Sequence, residues 1–157
     1  MSSTPIYEKD FYGWVTHHIE LLKQRKFDEV DLDILIEELE SMSVQDKNTL
    51  ASRFIILIAH LLKWQYQFNQ LNERWNNFTG ASWQGSIREQ RIKIEFQLEN
   101  SPSLKNYLNE AVAKAYPKAV ALAAKETGIS KTIFPNECPY SLEQLLNDNF
   151  YPSSEPA

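Results

Sequence analysis

Glycine is scarce in this 157-residue chain: Gly13, Gly80, Gly85 and Gly128 are the only four, and they are scattered. A phosphate-cradling loop or a dinucleotide fingerprint needs several glycines within one short turn, so both are excluded. Cysteine is scarcer still. A lone Cys138 cannot close an internal disulfide or build a thiolate zinc site, and the composition fits a reducing cytoplasm. The N-terminus lacks an apolar segment after a basic start, and no 18-residue apolar run occurs, so neither a secretory signal nor a membrane span is expected. Basic residues are outnumbered, 16 against 21 acidic, and the net charge of −5 has the wrong sign for a protein that neutralises phosphates. Nucleic acid is therefore disfavoured as a partner.

What is present is apolar bulk. The chain holds 4 Trp, 7 Tyr and 8 Phe within a 43% hydrophobic composition. A chain of this length buries roughly 68–70% of its unfolded surface as one domain. The expected organisation is a single helical domain over residues 7–147, with flexible ends at 1–6 and 148–157.

The periodicity is helical throughout. Phe11, Trp14, Val15, Ile19 and Leu22 recur at three- and four-residue steps, predicting a helix from Tyr7 to about Lys26 with Thr4 and Pro5 as its N-cap and first position. Leu32, Leu35, Leu39 and Met42 predict a short second helix, and Ser43 with Asp46 resembles a capping box opening a long third helix over about 44–70. Residues 71–82 lose the pattern and predict a loop. A fourth helix follows from Trp83 to Asn100. Ser101 and Pro102 are read as the start of a fifth, 102–127, kinked or split by Pro117 and ended by Gly128. Ser141 and Gln144 cap a short last helix. The fold class expected is all-α, a bundle of five to six helices.

Several polar side chains fall where packing alone would not put them. On the third helix Arg53, His60, Trp64 and Gln67 share a flank beside the core face, a composition suited to an anionic or aromatic ligand or simply to a half-buried polar contact. On the fourth, Arg91 shares a face with Ile87, Ile94 and Leu98, while Ile92 and Phe96 point the other way. A helix apolar on two sides is expected to be central, which buries Arg91 and demands a partner for its guanidinium. The stretch from Asp28 to Glu40 carries seven carboxylates and no base, so Glu37, Glu38 or Glu40 are the expected partners. The alternative is an open pocket formed by Arg53, His60, Arg88 and Arg91. Paired Glu-x-x-His elements and H-E-x-x-H are both absent, and His17, His18 and His60 cannot all converge, so no metal and no cofactor are expected. Cys138 lies in a loop without a base beside it. In the predicted loop, Trp75, Phe78 and Trp83 form a candidate interaction surface.

Five blocks in order, YEKDFYGW, DLDILIEELESMS, SRFIILIAHLLKWQ, SIREQRIKI with ENSPSL, and FPNECPYSLEQLL, resemble the bacterial "domain of unknown function, number twenty-nine" family from about Tyr7 to Leu146. The resemblance implies a small all-helical domain, frequent in cyanobacteria, with no assigned activity and no catalytic residues to carry over. Glu37, Glu38, Glu40, Arg53, His60, Lys63, Trp64, Arg88 and Arg91 fall within those blocks. The function expected is a non-enzymatic interaction or regulatory module binding another protein or a second copy of itself. Its alternative is a small-ligand binder or enzyme built on the His/Arg/Glu groups, with nucleic-acid binding through Arg88, Arg91 and Lys93 third.

Overall fold

A computed structural model describes residues 4–74 and 80–153, with side chains from Tyr7 to Phe68 and from Gly80 onward. The described residues form six α-helices and three 3₁₀ turns, with no strand among them. They fall into two compact units, Met1–Gln45 and Asp46–Ala157.

In the N-terminal unit the expected first helix is two: α1 (Thr4–Lys9) and α2 (Phe11–Lys23). Asp10 interrupts them because its carboxylate accepts the Gly13 backbone N–H at 2.9 Å, an N-cap that restarts the helix. A β-carbon at Gly13 would collide with that carboxylate, so glycine is what lets the cap close. Thr4 is already within α1. α2 ends with Arg25 in the left-handed region, φ 59°, where Lys26 N–H reaches back to the Leu21 carbonyl at 2.9 Å. The unit's small core is Trp14, His18, Leu21 and Val30. His18 stacks on Trp14 at 4.0 Å, its Nδ1 bonds the Trp14 carbonyl, and its Nε2 accepts the Asp31 N–H at 3.1 Å. Those two bonds assign the neutral tautomer with the proton on Nδ1.

α3 runs without a break from Leu32 to Arg74, merging the expected second and third helices. Ser43 and Asp46 resemble a cap but sit in mid-helix. Nothing forces a stop, because the segment contains neither glycine nor proline.

The C-terminal unit contains α3 from Asp46 onward, α4 (Ala81–Asn100), α5 (Leu108–Thr127) and α6 (Leu142–Leu146). α3 contributes Leu50, Phe54, Leu57, Ile58, Leu61 and Leu62 to its core, α4 contributes Ile87, Ile94 and Leu98, and α5 presents Ala111, Ala115, Ala119 and Ala123 at four-residue steps. The alanines leave room for close helix approach, while each fully buried Leu or Phe contributes about 1.5–3 kcal/mol. The expected start of the fifth helix is corrected: Pro102–Tyr107 forms a 3₁₀ turn, and Ser101 makes no side-chain cap bond. Pro117 does not split α5. It lies on the exposed side of the helix. Gly128 ends α5 at φ 77°, and Ser141 and Gln144 form the expected capping box on α6. Packing extends beyond residue 147, with Tyr151 half-buried and Pro152 buried.

Candidate functional site

Arg91 is buried, 3% exposed, as its helix face requires. Its partner is not a carboxylate. Nε donates to the Leu145 carbonyl at 2.8 Å and Nη2 to the Gln144 carbonyl at 3.2 Å, so the guanidinium docks on the last turn of α6. A helix C-terminus leaves its last carbonyls without intrahelical donors and carries partial negative charge, which supplies what the sequence reading sought in an acidic side chain. Glu38, one of the three expected partners, instead accepts from the Tyr7 hydroxyl, and that bond to a carboxylate raises the Tyr7 pKa. Glu37 and Glu40 are exposed.

Tyr151 lies over Arg91, with Cζ 5.7 Å from its ring centroid, and also contacts Trp64 at 4.9 Å. Trp64 in turn stacks on Phe68 at 4.5 Å. Gly80, at φ 71°, closes against both rings, and a β-carbon there would lie 2.7 Å from Phe68 and 2.8 Å from Trp64. Trp64 and Arg91 are thus joined through Tyr151, a link that no spacing in the sequence announced. Burial lowers the Arg91 pKa, while Tyr151 and Asp148 oppose the shift.

Beside Arg91 lies a cavity of about 400 Å³. Glu95 and Glu99 from α4, Lys105 from the 3₁₀ turn and Asp148 after α6 line it with Arg91. A shallower depression of about 310 Å³ contains Arg53, whose Nη1 donates to the Lys93 carbonyl at 3.1 Å and to Gln97 Oε1 at 2.6 Å. Gln97 passes the link on to the Asp46 carbonyl at 2.8 Å.

His60 belongs to a third group. Its half-buried ring bonds the Ile56 carbonyl at 2.8 Å through Nδ1, and burial holds its pKa below the usual value, with Lys63 adding to the depression. Lys63 is 6% exposed, is paired with Glu126 of α5, and is pushed down by burial. That ion pair escaped the sequence reading because the two residues are far apart in the chain. Arg88 is exposed, Arg91 lines the cavity of about 400 Å³ and Arg53 the depression of about 310 Å³. Trp83 is half-buried in the first turn of α4, whereas Trp75 and Phe78 lie outside the described residues. Among the described residues no three of His, Cys, Asp and Glu come together as metal ligands.

The N-terminal unit carries a different feature. Leu32, Ile36, Leu39 and Met42 are each between 48% and 62% exposed. At 100° per residue they fall within about 120° of one α3 face, and Asp33, Glu37 and Glu40 form the adjoining flank.

These features define an all-helical fold in which Arg91, Arg53 and Lys63 each join two elements through hydrogen bonds or an ion pair. The chain belongs to the family described as domain of unknown function DUF29, which matches residues 6–151. No curated protein and no solved structure matches the chain. Among the described residues no helix is long and apolar enough to cross a membrane.

Proposed function

We propose that the protein is a non-enzymatic interaction module, and that the exposed apolar row Leu32, Ile36, Leu39 and Met42 is where it binds. The observation that carries this reading is the row itself. Four large apolar side chains on one helix face cost solubility unless another surface covers them, and contiguous exposed patches of this kind mark interaction sites.

The occupant we infer is an amphipathic helix of another protein, apolar on one side and flanked by Lys or Arg. Helix-in-groove recognition reads anchors at this spacing, and flanking charges choose the partner. Asp33, Glu37 and Glu40 favour a basic flank. A second copy is the weaker occupant, because antiparallel two-fold pairing of this face brings the acidic row against itself.

Fluorescence anisotropy with a helical Leu/Lys peptide, compared with its Leu/Glu counterpart, tests the assignment. The Leu/Lys peptide is expected to bind more tightly, and Leu39→Glu with Met42→Glu is expected to remove that binding without lowering helicity. Equal affinity for both peptides, or binding indifferent to the substitutions, sinks the reading. A concentration-dependent dimer in sedimentation that is lost in the same variant makes the second copy the occupant instead.

A further inference from the structure

The apolar row on α3 has a counterpart on α2. That helix buries Trp14, His18 and Leu21, yet Phe11, Ile19 and Leu22 are between 39% and 49% exposed, and Val15 among them is half-buried. At 100° per residue these four fall within about 80° of one α2 face, centred about 90° on from the buried three in the sense of advancing residue number. A helix that buries one apolar face and shows a second one to solvent has an unused packing surface.

Two contacts fix how α2 and α3 run. His18, in the second half of α2, meets the start of α3 through the Asp31 N–H. Tyr7, which precedes α2 and packs on Trp14 at 5.3 Å, meets α3 about two turns later through Glu38. The two helices are therefore antiparallel. Asp31 and Glu38 mark the side of α3 that faces α1 and α2, and the row Leu32, Ile36, Leu39 and Met42 is centred about 100° on from it, again in the sense of advancing residue number. Equal rotations of one sense about two antiparallel right-handed helices lead to the same side of the pair, so both rows border one groove. The edges of that groove differ in charge. Asp33, Glu37 and Glu40 stand outside the α3 row, whereas the outer edge of α2 has Tyr12, Thr16 and Lys23 and no carboxylate. Lys23 is held only by Glu20, at 3.8 Å and farther round the helix, with both side chains mostly exposed.

We propose that this groove takes one amphipathic helix of another protein, basic along the flank that lies over α3 and uncharged along the flank that lies over α2, so that three helices close a bundle. The proposal rests on the interaction reading above and deepens it: the row on α3 is one wall of the site, α2 is the other, and the occupant is basic on one side only. Three carboxylates attract Lys or Arg along one edge, while Lys23 repels them at the other. A helix nested between two others, roughly 8–10 Å from each, needs a wider apolar face than a two-stranded seam, about three to four residues per two turns.

Fluorescence anisotropy of the full chain with two helical peptides of wide apolar face tests it, one carrying Lys on a single flank with Gln on the other, the second carrying Lys on both, at about 0.15 M salt to screen long-range attraction. The single-flank peptide is expected to bind at least as tightly as the double-flank one. Ile19→Glu with Leu22→Glu, both exposed in the free protein, is expected to weaken it at least about tenfold while circular dichroism stays unchanged. Lys23→Glu is expected to tighten the double-flank peptide several-fold and to change the single-flank one less. Binding that is lost in Leu39→Glu with Met42→Glu but indifferent to the α2 substitutions overturns the groove and leaves the interaction reading standing, whereas binding of neither peptide overturns both. A preference of the parent for the double-flank peptide overturns the charge assignment, and a dimer in sedimentation that the α2 substitutions dissolve gives the groove to a second copy instead.

Discussion

Replacing Arg91 by methionine probes how α6 is held. The substitution keeps an unbranched chain of similar length and removes two charge-assisted hydrogen bonds to the Leu145 and Gln144 carbonyls. Bonds of that kind contribute about 1.5–3 kcal/mol each, so their loss costs about 3–6 kcal/mol. Part is returned, because methionine does not bury an unpaired Nη1, whose desolvation costs about 1–3 kcal/mol. The net loss we predict is about 2–4 kcal/mol, which lowers Tm by roughly 5–15 °C at this chain length. This is less than the 3–5 kcal/mol typical of breaking a buried ion pair, because the groups left behind are neutral carbonyls and not a stranded carboxylate. Arg91→Lys should cost nearly as much, since an ammonium cannot reproduce the planar fork. Urea and thermal unfolding give the magnitude, and hydrogen exchange of the amides in 142–152 locates it. Native stability together with undisturbed protection of that segment in Arg91→Met refutes the reasoning.

Three further predictions concern other polar groups. Lys63 is buried while Glu126 is half exposed, so we predict that Lys63→Met changes unfolding free energy by less than about 1.5 kcal/mol, whereas Glu126→Gln, which strands the ammonium, costs more; the reverse order in urea titrations would falsify the pairing. His60 has a folded pKa below the usual 6.5, so the folded state binds its proton less readily than the unfolded one; its contribution is intact above 6.5 and lost as pH falls through the lower folded value. Thermal melts between pH 7 and 5 should therefore decline less steeply in His60→Gln, and parallel curves count against the burial of the ring. Tyr116 donates to the Pro135 carbonyl at 2.6 Å, and burial pushes its pKa up to about 12. Its contribution is present below pH 10 and lost as pH rises through about 12, so phenolate absorbance should lose one late-titrating tyrosine in Tyr116→Phe, while Tyr140, whose burial raises its pKa further, still titrates late.

Much of the fold is written in local patterns. Gly128 as a left-handed helix end and Ser141 with Gln144 as a capping box depend only on residues within one turn, and both stand as read. Ser43 was misleading because a cap residue starts a helix only if the chain before it leaves helical geometry, and nothing between Leu32 and Ser43 makes it do so. Asp10 was missed for the converse reason: the apolar stripe runs straight past it, and the interruption comes from one carboxylate reaching the Gly13 N–H. The burial of Arg91 followed from its neighbours on α4, but its acceptors are backbone atoms, which no side-chain inventory displays. Lys63 and Glu126 belong to separate helices, and a pair of that kind becomes visible only once α3 and α5 are placed.

The two apolar sides of α4 raise a question that stability measurements can answer. A helix apolar all round is normally central, yet Ile92 is 46% and Phe96 61% exposed, while Ile87 and Ile94 on the opposite side are fully buried. Sequence cannot separate a helix enclosed by its own fold from one that keeps a face free, because both carry the same residues. The free energy of truncation can. Phe54, fully buried on α3, leaves a cavity when shortened, and Phe54→Ala is predicted to cost about 3–5 kcal/mol. Phe96 has little packing to lose, so Phe96→Ala should stay within about 0.5 kcal/mol of the parent. Urea unfolding of both variants makes the comparison within one protein. A cost for Phe96→Ala approaching that of Phe54→Ala would mean that this face of α4 is covered in solution, by a second copy if the cost grows with protein concentration and by the chain itself if it does not.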